Sequence, residues 1–195
     1  MAMKRLFAPV PRNSVQRFAP GEPLAGYESG DFVLTHGDAW TSRLIRFGQR
    51  LRIRGDDRKF TYWNHAALVV SEGGELVEAL GSGVQRTHVD RYDSAECHLV
   101  RIGASAEDRK QAVAFAEWAV GEDYGFGTLV SIAWGLITGG KFTFGFDGQA
   151  ICSGLVAMAM ERTGAIFNRT PTHVMPADLA KYYGVEPPSA PEVTM

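Results

Sequence analysis

The sequence predicts a single α+β domain in which short antiparallel strands come first and helices gather after them. Three observations carry that prediction. β-type runs recur at FVLT, HAALVV, ELVEAL and CHLVRI, separated by glycine-containing or charged turns. Helical periodicity dominates from Ser105 onward. The chain has 195 residues, 45% hydrophobic and 22% charged, which suits one soluble-type domain large enough to bury a core.

The elements follow in order. Residues 1–29 carry Pro9, Pro11, Pro20 and Pro23 without apolar periodicity and read as an irregular N-terminal arm. Gly30 and Asp31 introduce the FVLT strand. Trp40, Leu44, Phe47 and Leu51 recur at helical spacing, with Thr41 and Ser42 as caps, and residues 52–61 read as a charged loop. HAALVV (His65 to Val70) and ELVEAL (Glu75 to Leu80) flank Gly73-Gly74 as a hairpin, and CHLVRI begins another strand at Cys97. Ser105 and Asp108 form a capping box for a helix to Val120, with Ala112, Phe115, Ala116 and Ala119 on its apolar face and Gly121 as its stop. Further helical patterns span Thr128 to Ile137 and Ile151 to Thr163. The domain proper runs over 30–185, and residues 186–195 read as a disordered tail. No internal repeat occurs.

Composition removes several function classes. Two cysteines, Cys97 and Cys152, cannot build a disulfide framework or a zinc ribbon. A net charge of −2 gives no general attraction to nucleic acid. The start MAMKRLFAPVPRN lacks the apolar stretch of a signal peptide, and the apolar run from Phe126 to Ile137 is too short and glycine-broken to span a bilayer. These features predict a cytoplasmic protein or one exported by a non-Sec route. There is no GxSxG, HExxH or CxxC motif, and no cofactor is called for. GLITGGK at Gly135 approaches a phosphate-binding loop, but Phe142 occupies the place of the metal-binding hydroxyl and no strand precedes it.

The residues with chemical promise centre on Cys152. It opens a helix whose apolar face is Ile151, Leu155, Val156 and Ala159. A helix start offers free N–H groups and a positive dipole end, which favour a thiolate and can hold an oxyanion. The competing reading is an inert core cysteine, since free cysteine is among the most buried residue types. Cys97, alternating with apolar neighbours in its strand, reads as core.

A cysteine nucleophile needs an imidazole and a third group to orient it. His65 opens a strand after Asn64, and Glu78 interrupts the apolar LVEAL run of the partner strand. A turn centred on Gly73-Gly74 sets Glu78 opposite Val69, whereas one centred on Ser71-Glu72 sets it opposite His65. Both registers keep positions 65 and 78 on one face of the sheet. The alternative is a Glu78 that points to solvent at a sheet edge. His173 is the main rival base; His36, His88 and His98 lack such a partner in the sequence.

Arg43, Arg46, Arg50, Arg52, Arg54, Arg58 and Lys59, against Asp56 and Asp57, form a local basic run. It reads either as a solvated face or as a surface for an anionic substrate or membrane, with Arg43, Arg46 and Arg50 as substrate-binding candidates.

GDFVL at Gly30, NHAALVVSEGGELVEALGSGV at Asn64, GEDYGFG at Gly121 and ICSGLV at Ile151 together resemble the signature blocks of NlpC-type papain-like cysteine peptidases. Their order, with the histidine strand before the cysteine helix, is similar to the circularly permuted YiiX-like branch. RTPTHVMPADLAKYY fits as well, and the resemblance spans about Gly30 to Tyr183. It implies a papain-like fold, an antiparallel barrel-like sheet packed on helices. It also implies Cys152 as nucleophile, His65 as base, Glu78 as third residue and Tyr124 near the reacting carbonyl. The substrate class implied is an amide in a peptide such as a cell-wall peptide. Acyl transfer or lipid deacylation, as in lecithin retinol acyltransferase-like relatives, and an inactive binding module are the alternatives. Two features depart from the pattern: Ile151 stands where many relatives have Asp, and the insert from Gly127 to Gln149 is long and glycine- and aromatic-rich.

Overall fold

The computed structural model describes residues 15–37, 40–80, 82–121 and 152–188. The predicted helix over 128–137, the insert and Tyr124 lie outside those residues. At the centre is a six-stranded antiparallel sheet in the order β1-β6-β2-β3-β4-β5. The strands are β1 (Val15–Phe18), β2 (Phe32–His36), β3 (His65–Val69), β4 (Glu75–Leu80), β5 (Gly83–His88) and β6 (Glu96–Val100). Among the described residues four helices accompany them: α1 (Trp40–Arg52), α2 (Ala106–Trp118), α3 (Cys152–Glu161) and α4 (Pro176–Tyr183). Strands followed by helices make the chain α+β, as its pattern predicts. The sheet runs openly from β1 to β5 among the described residues, without the barrel-like closure that the resemblance implies.

Two expectations need correction. The irregular arm does not include Val15–Phe18, which pairs with Val100–Cys97 as an edge strand and buries Phe18. Its four residues are too few to display period-two alternation. Most of the charged loop over 52–61 falls in a 3-10 turn, Gly55–Tyr62, that buries Phe60 and Thr61.

Alternation along the strands sorts side chains onto two apolar layers. Phe32, Leu34, Ala66, Leu68, Val77 and Ala79 face Ala112 and Ala116 of α2, Leu155, Val156 and Ala159 of α3, and Leu179 and Ala180 of α4. Val33, Ala67, Val69, Leu76, Cys97 and Leu99 pack on the other side with Phe18, Leu24, Val89 and Tyr92. Each fully buried Leu or Phe of this kind adds about 1.5–3 kcal/mol over its exposed state.

Polar anchors fix the helices and loops on this sheet. Ser105 accepts from the Asp108 N–H at 3.1 Å and donates to its carboxylate, the capping expected at the start of α2. Buried Gln49 donates to the Trp63 carbonyl and accepts from the Ala177 N–H, both at 2.8 Å, tying α1 to α4. Ser153 donates to the Val174 carbonyl at 2.7 Å, fixing α3 against the segment that leads into α4.

Gly30-Asp31 has a structural task. Asp31 is fully buried and accepts from Arg109 at 2.8 Å, from the Ile102 N–H at 3.2 Å and from the Glu28 N–H at 2.9 Å. Gly30, at φ +93°, lets the Arg109 stem approach to 3.1 Å from where a Cβ would stand.

Candidate active site

The β3–β4 hairpin sets the first half of the site. Val70 N–H donates to the Glu75 carbonyl at 2.8 Å, closing a turn over Ser71, Glu72, Gly73 and Gly74. Gly74 lies at φ +91°, and a Cβ there would come within 2.8 Å of both Tyr27 Oη and His88 Nε2. The pairs Leu68↔Val77 and Val69↔Leu76 fix a register between the two predicted alternatives. Continued along the strands, it sets Glu78 opposite Ala67, diagonal to His65 and on the same face. The parity argument therefore holds, and the opposite neighbour is corrected.

That diagonal is short enough for contact. His65 Nε2 donates to Glu78 Oε2 at 2.5 Å. The carboxylate is fully buried, which excludes the solvent-facing alternative. Two further donors fix it: Thr87 Oγ1 at 2.6 Å on Oε1, and the Tyr92 hydroxyl on Oε2. The Tyr92 ring also stacks beside the imidazole, centroids 5.9 Å apart. Arg91 Nε stands 4.0 Å from Oε1. Burial alone would raise the Glu78 pKa, but the His65 cation and the hydrogen bonds from Thr87 and Tyr92 lower it below the usual carboxylate range. Glu78 therefore stays a carboxylate.

The second half is the start of α3. Cys152 is buried at the first residue of that helix and hydrogen-bonds His65, while the N–H groups of Ala66 and Ser153 also reach its sulfur. With Nε2 committed to Glu78, the imidazole presents Nδ1 to the thiol. Burial opposes charge on the sulfur, but the His65 cation, its hydrogen bond and the two backbone donors together push the thiol pKa down. Burial likewise opposes the imidazolium, yet the Cys152 thiolate and then Glu78 raise His65 to about 10. The two shifts belong to one coupled pair: charge on either group favours charge on the other.

The other candidates stand elsewhere. Cys97 is buried in β6, and burial with the nearby Glu96 and Asp93 charges pushes its thiol up to about 12, so it stays protonated. His36 stacks on Tyr62 at 3.8 Å and meets Arg46 at 2.6 Å. His88 pairs with Asp90 at 3.0 Å on the surface. His98 is buried against Trp63, and burial lowers its pKa, so it stays neutral. His173 lies in the 3-10 turn Pro171–His173, which packs on α3, and His65, not His173, is the imidazole that acts on the Cys152 thiol. Arg43 and Arg50 are exposed on α1, and Arg46 is half-buried against His36, so all three lie on α1 and not on the elements that carry Cys152, His65 and Glu78.

Sequence reasoning missed Thr87, Tyr92 and the Ala66 N–H. Thr87 had a readable signal: it is polar and shares with Gln85 the face of β5 that meets Glu78. Tyr92 comes from a 3-10 turn, Val89–Tyr92, and no spacing rule points to it. No family model and no curated protein matches this chain.

Proposed function

We propose that the protein is a cysteine hydrolase in which Cys152 attacks an acyl carbon, His65 moves the proton and Glu78 orients and charges the imidazole. One observation carries the reading: His65 interacts with the Cys152 thiol at the start of α3 and is bonded through Nε2 to the fully buried Glu78. A buried carboxylate with three donors, and a thiol at a helix start, are costly to build for packing alone.

The chemistry follows from that geometry. The Cys152 thiolate forms a C–S bond to the carbonyl carbon, and charge moves to the carbonyl oxygen. N–H groups in the first turn of α3 lack carbonyl partners within the helix and are suited to that oxyanion. The His65 Nδ1 proton passes to the leaving nitrogen, and the C–N bond breaks, leaving a thioester. Water then attacks the thioester as Nδ1 takes its proton; the acid departs and the thiolate returns. Through both halves Nε2 keeps its proton on Glu78. Nothing in these steps calls on a cofactor.

The permuted NlpC-type resemblance supports the same roles by chain order, His65 and Glu78 before Cys152, and supports a peptide amide as substrate. Under that resemblance Tyr124 stands near the reacting carbonyl. A lipid ester or thioester is the second reading, favoured by the exposed Phe47 and Leu51 among arginines on α1.

The test offers the protein muropeptides, lipid esters and acyl thioesters and quenches in acid for mass spectrometry of the intact chain. The reading predicts an acyl adduct on Cys152 with at least one class and none in Cys152→Ala. Turnover that survives in Cys152→Ala refutes it. An adduct from lipids alone moves the substrate from peptide to acyl lipid.

A further inference from the structure

The helix between β2 and the 3-10 turn is oriented the wrong way for a core helix. Gly48 and Gln49 face inward, while Phe47 is 55% exposed and Leu51 is 47% exposed. At roughly 100° per residue those two share a stripe, and Arg43 and Arg50 fall within about 60° of Phe47 along its flank. Both arginines are exposed and have no partner among the described residues. No acidic residue occurs within α1.

The cationic surface extends past the helix. Arg52 and Arg54 line a cavity of about 160 Å³ whose other charged groups are paired, Arg169 with Asp178 at 3.7 Å and Lys181 with Asp57 at 2.6 Å. From Arg43 to Lys59 seven basic side chains face two acidic ones, in a chain whose net charge is −2. Positive charge is thus concentrated around an apolar stripe that α1 exposes.

We propose that α1 docks the protein onto an anionic lipid surface, with Phe47 and Leu51 entering the headgroup–acyl boundary and Arg43 and Arg50 meeting the lipid phosphates. An apolar stripe edged by arginine is the pattern of a helix that lies in a membrane interface. A second protein of ordinary composition accounts for the apolar pair but not for the unpaired cations around it. A polyanion such as nucleic acid accounts for the cations but not for Phe47 and Leu51. The surface is well placed for an enzyme. Thr35 of β2 pairs with His65, and the Asn64 side chain clamps Gly37, accepting from its N–H at 3.1 Å and donating to its carbonyl at 2.9 Å. The chain thus leaves the His65 end of the sheet just before α1 begins. Docking itself does not depend on Cys152 chemistry and needs no turnover.

The test is co-sedimentation of the full chain with phosphatidylcholine vesicles, and with vesicles carrying about one third phosphatidylglycerol. The proposal predicts binding to the anionic vesicles only, weakened as salt rises through the range where the Debye length shrinks from about 30 Å toward 3 Å. Arg43→Gln with Arg50→Gln should lower partitioning roughly 30-fold, and Phe47→Ser with Leu51→Ser at least roughly tenfold. All four side chains are exposed, so an unchanged melting temperature certifies the variants, and wild-type salt dependence gives a readout that needs no variant. Absence of binding, equal binding to neutral vesicles, or variants that bind as wild type overturn the proposal. A dimer in solution that Phe47→Ser with Leu51→Ser splits into monomers also overturns it, by making a second copy the occupant.

Discussion

Replacing Glu78 by glutamine tests how the triad is held. The amide keeps the shape of the buried carboxylate. Its oxygen can still accept from His65 Nε2, now 2.5 Å from Glu78 Oε2, and its nitrogen can donate to Thr87 once that hydroxyl turns to accept. What disappears is the charge. A hydrogen bond to a charged group is worth about 1.5–3 kcal/mol and a neutral one about 0.5–1.5, so the imidazolium loses about 1–2 kcal/mol. One pKa unit is about 1.4 kcal/mol, so His65 should fall by about one unit from its position near 10. The sign is definite: losing a nearby negative charge makes the imidazolium easier to deprotonate and does not make the thiol harder to ionise. In a bell-shaped profile of kcat/KM the upper limb should therefore move down by about one unit while the lower limb holds. The rate at the optimum should drop about tenfold. The loss stays small because the imidazolium carries protons on both nitrogens, so no tautomer has to be chosen, and Cys-His-Asn triads work with an amide as the third member. An upper limb that does not move, with an unchanged rate, refutes the claim that Glu78 supports the His65 cation.

Two predictions concern stability. Asp31→Asn removes the carboxylate that faces Arg109 inside the protein and should cost about 3–5 kcal/mol in urea unfolding while leaving Cys152 reactivity unchanged; a loss below about 1 kcal/mol contradicts the burial argument. Gly74→Ala forces an L residue to φ +91° with its Cβ 2.8 Å from two neighbours. It should cost at least about 2 kcal/mol and slacken the β3–β4 hairpin, and a neutral result would mean that Tyr27 and His88 yield freely.

Parity made the His–Glu pair legible. A charged residue in an apolar strand, an even number of registers away from a histidine in its partner, is informative because a one-residue slip would flip every side chain. Register itself was not legible: the double glycine admitted two turn centres, and Ser71, whose Oγ accepts from the Glu75 N–H at 3.2 Å, helped select a third. Cys152 was readable as a helix start, but its proximity to His65 depends on α3 packing against β3, a long-range contact that spacing does not encode. α1 was found by its apolar spacing, yet that spacing predicts an inward face, and the structure turns Phe47 and Leu51 outward. Gly30-Asp31 looked like a strand signal, and the partner of buried Asp31, Arg109, lies 78 residues away on α2.

The central claim is that Cys152 rests as a thiolate paired with His65, and alkylation by iodoacetamide at pH 6 tests it most directly. An ordinary thiol near pKa 8.5 is about 0.3% ionised there, so full ionisation raises the reactive fraction roughly 300-fold. The weaker nucleophilicity of an acidic thiolate takes back part of that gain and leaves at least about tenfold over a model thiol. Peptide mapping should find the label on Cys152 alone, with Cys97, its thiol pushed up to about 12, untouched until denaturation. His65→Ala should bring Cys152 down to the model rate or below. If the two cysteines label equally slowly in the native protein, or if Cys152 labels as fast without His65, there is no thiolate–imidazolium pair and the hydrolase reading fails.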